Sequence, residues 1–464
     1  PGADAGPPRE PTVAAAAQAL LHTHRRRATD GLTEALAAAA HPRADELLTA
    51  LAEDEPAALC RAVDRWSRDD RPARRAAAAS YALVVAAHAA TDTDRELLRQ
   101  AARTLLDRPG DPGVHGAALA VLVGDRATRS RYLDRALAGF AAGDPALPPA
   151  AFAAALTSHP EPVLAAFQTR LRRSPTRLQG APGGEPSDTD TDADTDAGRA
   201  GPDGAEAVLR TLAGVSTPAL ARRAAALVDE YAIRFPWTAA RPVADFVAHR
   251  LEAGPGARSV LHPLAVRLLT AHAAPVRCAL VPVLAGPGST ASRPLRQELL
   301  DVLLERERNG RRPVRAPDAA LPDATVPRAT APDATVPDAT VLDALLCAAA
   351  QGAARRPEAR TRDLVHRTGL LHVRTLEGAA RFDRRLVELG RLLPDFAAMV
   401  GTWLAAAPAE WAAIVGPSAR AMLGPRHPAA APTASATPTT PTVPTRPMAR
   451  GAVRTPSQGA PHPA

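Results

Sequence analysis

The sequence contains no lysine, so all 56 of its basic side chains other than histidine are arginines. Without lysine there can be no P-loop phosphate-binding lysine, no pyridoxal-phosphate Schiff base and no serine–lysine nucleophile pair. The arginine content belongs to a general Ala/Arg/Pro/Gly bias that is typical of a high-GC genome. The number of arginines is therefore poor support for phosphate binding.

Aromatic residues make up 3% of the chain, and alanine supplies most of the 46% that is hydrophobic. Alanine lets helices approach closely, although each residue buries little apolar area. No stretch shows the sustained period-two alternation of a strand, and no apolar run reaches the ~18 residues that span a bilayer. These patterns predict an all-α protein without a transmembrane helix.

The three cysteines, Cys60, Cys278 and Cys347, are far apart in the sequence and sit among apolar neighbours. This predicts reduced thiols in a cytoplasmic protein, and no signal peptide is recognisable. The sequence contains no HExxH, CxxC or GxSxG motif. Since no residue set nominates a catalytic site, the chain is predicted to be non-catalytic and to need no cofactor.

Two places resemble cation sites, and neither has a full ligand set. His22 and His24 lie two residues apart beside three arginines, which repel cations. The acidic run around Asp190 matches the first positions of a calcium loop, but Ala193 and Arg199 stand where such a loop has glycine and glutamate. No metal site is predicted.

The net charge of +7 is not spread evenly along the chain. Five arginines and no acid follow residue 410, so the first 410 residues carry 7 − 5 = +2. A basic patch is the electrostatic signature of nucleic-acid binding, and the folded part has no such excess. Nucleic acid is therefore not an expected partner.

Residues 111–123 predict a buried helix. Asp111 is placed to cap it with its carboxylate, and Pro112 occupies the first helical position, where its missing N–H is harmless. Apolar residues recur at helical spacing, and Leu119 extends the apolar surface to the opposite side. A helix that is apolar on most sides is expected to lie between neighbouring helices.

Similar openings recur at Pro72, Pro218 and Pro275, and the step from Pro72 to Pro112 is 40 residues. A proline, an arginine three residues later and an Ala-rich helix resemble the second helix of HEAT-type repeats. Arg75 has that spacing, whereas the other copies carry His115, Arg222 and Arg277 at or one residue from that position. The resemblance implies a degenerate HEAT-like α-solenoid. In the fourth copy Pro282 is expected to kink the helix or end it early.

Composition divides the chain into helical blocks separated by predicted disordered linkers. The linkers are an acidic Gly/Pro/Asp/Thr segment and a spacer with proline at every fifth residue. The predicted parts are a disordered N-terminus (1–12), a first helical-repeat block (13–173), the acidic linker (174–204), a second block (205–308), the Pro-rich linker (309–341), a C-terminal helical block (342–424) and a disordered Thr/Pro/Arg tail (425–464).

Two stretches, EPAALCRAVDRW from Glu55 and GAARFDRRLVELGRLLPDFAAMVGTWL from Gly378, are similar to helical regions of large Ala/Pro/Arg-rich proteins of high-GC bacteria. Some of those proteins carry a trypsin-like peptidase domain elsewhere. The resemblance implies a non-catalytic portion, so the first hypothesis is a scaffold or protein-interaction module. The alternative is the accessory C-terminal region of a larger enzyme, such as a serine peptidase, whose catalytic domain lies upstream.

One aromatic cluster, Tyr231, Phe235 and Trp237, stands out in this aromatic-poor chain. Tyr231 and Phe235 lie on the same helical face as an apolar stripe. Packing of that stripe in the protein core explains both residues. Pro236 is expected to end that helix and to leave Trp237 in the following turn, between Arg234 and Arg241. Tryptophan and arginine are enriched at interface hot spots, so Arg234, Trp237 and Arg241 are predicted to bind a protein partner.

Overall fold

The computed structural model of the chain describes residue 20 and residues 28–39, 42–173, 204–310 and 338–424. In these ranges the backbone forms 21 α-helices, three short 3-10 segments and no strand. The predicted all-α fold class is therefore confirmed for the part of the chain that the structure describes. The predicted N-terminus, the tail and most of both linkers lie outside these residues, and the domain boundaries stay predictions.

Nine helices lie within the predicted first block. They are α1 (Thr29–Ala38), α2 (Pro42–Asp54), α3 (Pro56–Ser67), α4 (Pro72–Ala86), α5 (Asp92–Leu106), α6 (Pro112–Gly124), α7 (Arg129–Ala142), α8 (Ala153–Ser158) and α9 (Pro160–Arg172). A 3-10 segment, Pro149–Phe152, directly precedes α8.

Six helices follow between the two predicted linkers, and six more lie after the second linker. The first six are α10 (Gly204–Ala213), α11 (Pro218–Arg234), α12 (Ala240–Glu252), α13 (Arg258–Thr270), α14 (Ala274–Ala285) and α15 (Arg293–Asn309). The others are α16 (Ala339–Gln351), α17 (Glu358–His372), α18 (Leu376–Leu392), α19 (Pro394–Ala406), α20 (Pro408–Ala412) and α21 (Pro417–Leu423).

Proline is the first residue of nine of these helices, which explains why many starts were readable from the sequence. A proline there leaves no unsatisfied N–H and has its φ already fixed at a helical value. Pro282 lies inside α14 and does not end it early, since the helix continues to Ala285. The buried side chains of Val281 and Leu284 on both sides of Pro282 hold this last turn against its neighbours.

Asp111 stands at the N-cap position of α6, but its carboxylate makes no cap hydrogen bond. It accepts a hydrogen bond from Nε of Arg75 in α4 instead. The predicted side-chain cap is therefore wrong. Arg75 is 7% exposed, and its buried guanidinium offers a charge-assisted bond that is stronger than one to a neutral backbone N–H.

Most of the helices pack in two rows, in which successive members are next-but-one neighbours in the chain, and the second row is interrupted between α5 and α7. One row contains α2, α4, α6, the 3-10 segment Pro149–Phe152, α10, α12, α14, α16 and α18. The other contains α1, α3 and α5, followed by α7, α9, α11, α13, α15 and α17. Helices also contact across the two predicted linkers, since α9 packs on α10 and α14 packs on α16.

The core contains many small side chains and few large ones. Residues 116–123 of α6 are all buried, which confirms the predicted burial of this helix. Trp66, Trp403 and Trp411 are among the largest fully buried side chains. Trp403 and Trp411 stack with ring centroids 5.6 Å apart and join α19 to α20.

All three cysteines are unpaired; Cys60 is buried, and Cys278 and Cys347 are partly buried. Burial raises the pKa of the Cys60 thiol to about 12, so it stays protonated near neutral pH. Within the described ranges, no helix combines the length and the apolar character that crossing a membrane requires.

Candidate functional site

The predicted binding residues Arg234, Trp237 and Arg241 lie where α11 ends and α12 begins. The buried side of α11 consists of Leu220, Ala221, Ala224, Val228, Asp229, Tyr231 and Ala232. The rings of Tyr231 and Phe235 lie 5.8 Å apart between centroids. Tyr231 is therefore part of the packed side of the helix, with Phe235 partly buried beside it.

The chain reverses between α11 and α12 through a short turn. The Phe235 N–H donates to the Tyr231 carbonyl at 3.0 Å, and the Ala239 N–H donates to the Phe235 carbonyl at 2.8 Å. Arg234 is the last residue of α11, so the helix ends where Pro236 led us to expect. Trp237 lies in the middle of this turn, outside both helices.

Trp237 is 81% exposed, whereas Trp66, Trp403 and Trp411 are at most 2% exposed. Ile233, four residues earlier, is 65% exposed. Single exposed apolar residues are ordinary on protein surfaces, but here two large ones lie within five residues at one helix end. We call Ile233, Arg234, Trp237 and Arg241 the α11–α12 corner.

The two arginines give this corner a positive charge. Both are exposed, and neither forms a salt bridge with an acid among the described residues. The Arg234 guanidinium carbon lies 5.5 Å from the centroid of the Phe235 ring, an attractive cation–π distance. Arg234 forms no salt bridge with a described acid, although its charge is among the influences that lower the pKa of Glu230.

The acid nearest to Arg234 in sequence, Glu230, is engaged elsewhere. Its carboxylate accepts hydrogen bonds from Arg172 and Gln168 of α9, each at 2.7 Å. These hydrogen bonds lower the pKa of Glu230 below its usual value. Glu230 thus joins α9 to α11.

Sequence reasoning missed Ile233. The apolar stripe of α11 contains Leu227, Val228 and Tyr231, and Ile233 falls off this stripe at helical spacing. A large aliphatic residue on the polar side of an amphipathic helix was the available signal.

The places that resembled cation sites, His22, His24 and the acidic run around Asp190, lie outside the described residues. In the ranges that the structure does describe, no group of three or more His, Cys, Asp or Glu side chains is arranged to hold a metal ion.

The sequence of this chain matches neither a known family nor a curated protein. No protein-family model matches it, and no curated protein sequence is significantly similar to it. The arguments for a repeat architecture and for a function therefore rest on the residues and contacts of this chain.

Proposed function

We propose that this chain is a non-catalytic, HEAT-like helical-repeat scaffold that binds a protein partner at the α11–α12 corner. The observation that carries the proposal is the 81% exposure of Trp237, in a chain whose other three tryptophans are buried. Exposed tryptophan is costly to leave in water, and tryptophan and arginine dominate interface hot spots.

The packing of most helices on their next-but-one neighbours supports the repeat part of this proposal. In helical-repeat proteins each helix pair contacts the pairs before and after it, which produces this pattern. The 40-residue step between the similar helices α4 and α6 has the length of one such pair.

The partner is an acidic protein surface with an apolar pocket. The pocket would take the indole of Trp237 and the side chain of Ile233, and carboxylates around it would pair with Arg234 and Arg241. The cytoplasm is the proposed location, and the three free thiols support a reducing compartment.

The test compares Trp237→Ala with Leu376→Ala as bait in native lysates. Leu376 is 94% exposed and lies at the start of α18, so its variant controls for loss of any exposed apolar side chain. We expect proteins that bind the wild type and Leu376→Ala but not Trp237→Ala, with unchanged melting temperatures.

A captured protein is then titrated against Arg234→Gln/Arg241→Gln. Its affinity should fall, and the salt dependence of binding should weaken, because two charge pairs are lost. If Trp237→Ala lowers the melting temperature and retains every partner, Trp237 has a structural role and the site is withdrawn.

A further inference from the structure

A cavity lies between the end of α14, α15 and the first turns of α17. Its volume is about 490 Å³, within the ~300–1,000 Å³ that small-molecule sites occupy. Six arginines line it: Arg293, Arg296, Arg355, Arg356, Arg360 and Arg367. Among its lining residues Asp363 is the one acid, so the wall carries a large excess of positive charge. We call it the arginine cavity.

Two of the six arginines are held by acids outside the cavity wall. Arg296 Nη2 lies 2.7 Å from Glu252 Oε1, and Arg367 Nη1 lies 2.6 Å from Asp301 Oδ1. These pairs fix the two guanidinium groups in place. The carboxylates of Glu252 and Asp301 are thereby already paired. No described acid forms a salt bridge with Arg293, Arg355, Arg356 or Arg360.

Arg356 is the clearest sign of a missing partner. Its Nη2 donates to the Ala348 carbonyl at 2.6 Å, while its Nε is buried and has no hydrogen-bond partner among the described residues. Burial lowers the pKa of this guanidinium, because no negative charge offsets the loss of water. The charge of Arg356 is thus left without a nearby carboxylate among the residues that the structure describes, and an anion in the cavity would interact favourably with this charge.

The N-terminal turn of the 15-residue helix α17 borders the cavity, since Pro357 and Ala359 line it. No side chain caps that turn, and the helix dipole favours an anion there. The same turn contains an acid, Glu358, whose carboxylate accepts a hydrogen bond from Nε1 of Trp403 at 2.7 Å. The positive charge of the cavity therefore comes from its arginines.

Part of the cavity lining is apolar. Leu284, Leu300 and Leu364 are each at most 6% exposed, so the protein already covers these side chains. Pro287, Pro357 and Ala359 also line the cavity, and these three residues are exposed. A ligand with an anionic head and a carbon body can contact both these residues and the arginines.

Composition explains how many arginines the chain has but not their convergence at one cavity. Several buried or half-buried arginines elsewhere meet carboxylates, as Arg99 meets Asp125 at 3.0 Å and Arg381 meets Asp343 at 2.6 Å. The buried Arg250 bonds to the carbonyls of Ala213 and Val215 instead. Guanidinium groups bind phosphoryl oxygens bidentately, and several of them favour a ligand with two or more negative charges.

We propose that the arginine cavity binds a small organic phosphate. Its phosphoryl groups contact Arg293, Arg355, Arg356 and Arg360, and its carbon body lies against Pro287, Pro357 and Ala359. The site is separate from the α11–α12 corner, and the proposal does not depend on the proposed function.

Isothermal titration of the full chain with ADP, ribose 5-phosphate and glycerol 3-phosphate tests it, with inorganic phosphate and sulfate at equal ionic strength for comparison. We expect one site per chain and tighter binding of at least one organic phosphate than of inorganic phosphate. Arg293→Gln/Arg355→Gln/Arg360→Gln should weaken that binding about tenfold or more, since three charge-assisted contacts are lost. These three side chains are exposed, so the variant should melt like the wild type.

Arg384→Gln is the matched control, because Arg384 is exposed and lies away from the cavity lining. Its affinity should equal that of the wild type. The single variant Arg360→Gln replaces the triple variant if the latter melts at a lower temperature. The proposal is overturned if no organic phosphate binds at millimolar concentration, if the cavity variants bind as well as the wild type, or if a single-stranded oligonucleotide binds more tightly than every organic phosphate.

Discussion

Arg277 in α14 donates through Nη2 to Oδ2 of Asp338 at 3.1 Å, across 61 residues of sequence. Asp338 is the N-cap of α16 and accepts from the Thr340 N–H with its other oxygen. Its own N–H donates at 3.0 Å to Glu307, which lies 3.2 Å from Arg277. One buried arginine thus fastens the start of α16 to α14 and α15.

Arg75 and Asp111 repeat this relationship. In both cases an arginine in the first turn of a helix bonds to the aspartate at the N-cap position of the next helix in the same row. The recurrence is independent of the apolar pattern that suggested repeats. It gives the HEAT-like proposal a second kind of support, from polar contacts between successive units.

Arg277→Met should lower the free energy of unfolding by about 3–5 kcal/mol, because it leaves the Glu307 carboxylate buried without its partner. Arg277 and Glu307 are each 1% exposed, so water cannot replace the lost contact. Urea unfolding followed by circular dichroism measures the change. Arg222→Met, at an exposed site of α11, should change it by no more than about 0.5 kcal/mol. Equal effects of the two substitutions would contradict a stabilising role for the Arg277 network.

These contacts also show what sequence alone could reach. Pro72 and Pro112 predicted helix starts, because a proline at the first position acts locally. Asp111 bonds to Arg75, 36 residues away in the sequence, and does not cap its own helix. This choice depends on how two helices are placed in space, and no local sequence pattern contains that information. At the α11–α12 corner, Pro236 predicted the turn, whereas the exposure of Ile233 depends on which neighbours pack against α11.

Leu119→Asp should unfold the region around α6. Leu119 is 4% exposed, and a carboxylate at its position would have no partner, which costs several kcal/mol. Thermal unfolding followed by circular dichroism should show a lower melting temperature or the loss of one transition. Leu376→Asp is the control, because the 94% exposed Leu376 can be replaced by a charge at little cost. An unchanged melting curve for Leu119→Asp would show that α6 is not buried.

Asp229 should make stability depend on pH in the acid range. Burial opposes its ionisation, but the hydrogen bond from His272 at 2.9 Å and the charge of Arg267 outweigh burial and lower its pKa. A carboxyl whose pKa is lower in the folded state contributes stability above its unfolded pKa of about 4, and this contribution is lost as the pH falls through the folded value.

Asp229→Asn should therefore be less stable than the wild type at neutral pH and should lose less stability than the wild type on acidification below about pH 5. Unfolding free energies from urea titrations at several pH values measure both effects. Asp245→Asn, at an exposed position of α12, should keep the wild-type pH profile. Parallel profiles for Asp229→Asn and the wild type would mean that Asp229 does not carry this dependence.

Trp237 should account for the quenchable part of the native tryptophan fluorescence. It is 81% exposed, whereas Trp66, Trp403 and Trp411 are 1%, 2% and 0% exposed, so acrylamide should reach one indole and leave three protected. Trp237→Phe should abolish the accessible fraction and shift the emission maximum to shorter wavelength, because an indole in water emits at longer wavelength than one in a core. Trp66→Phe should keep the accessible fraction, which makes it the matched control.

Since a partner seated on the α11–α12 corner would cover the same indole, protection of Trp237 from acrylamide in the presence of a captured protein would locate its contact at this corner. Native fluorescence that resists acrylamide in the free protein would mean that Trp237 is covered by the chain itself, and the corner would then not be available to a partner.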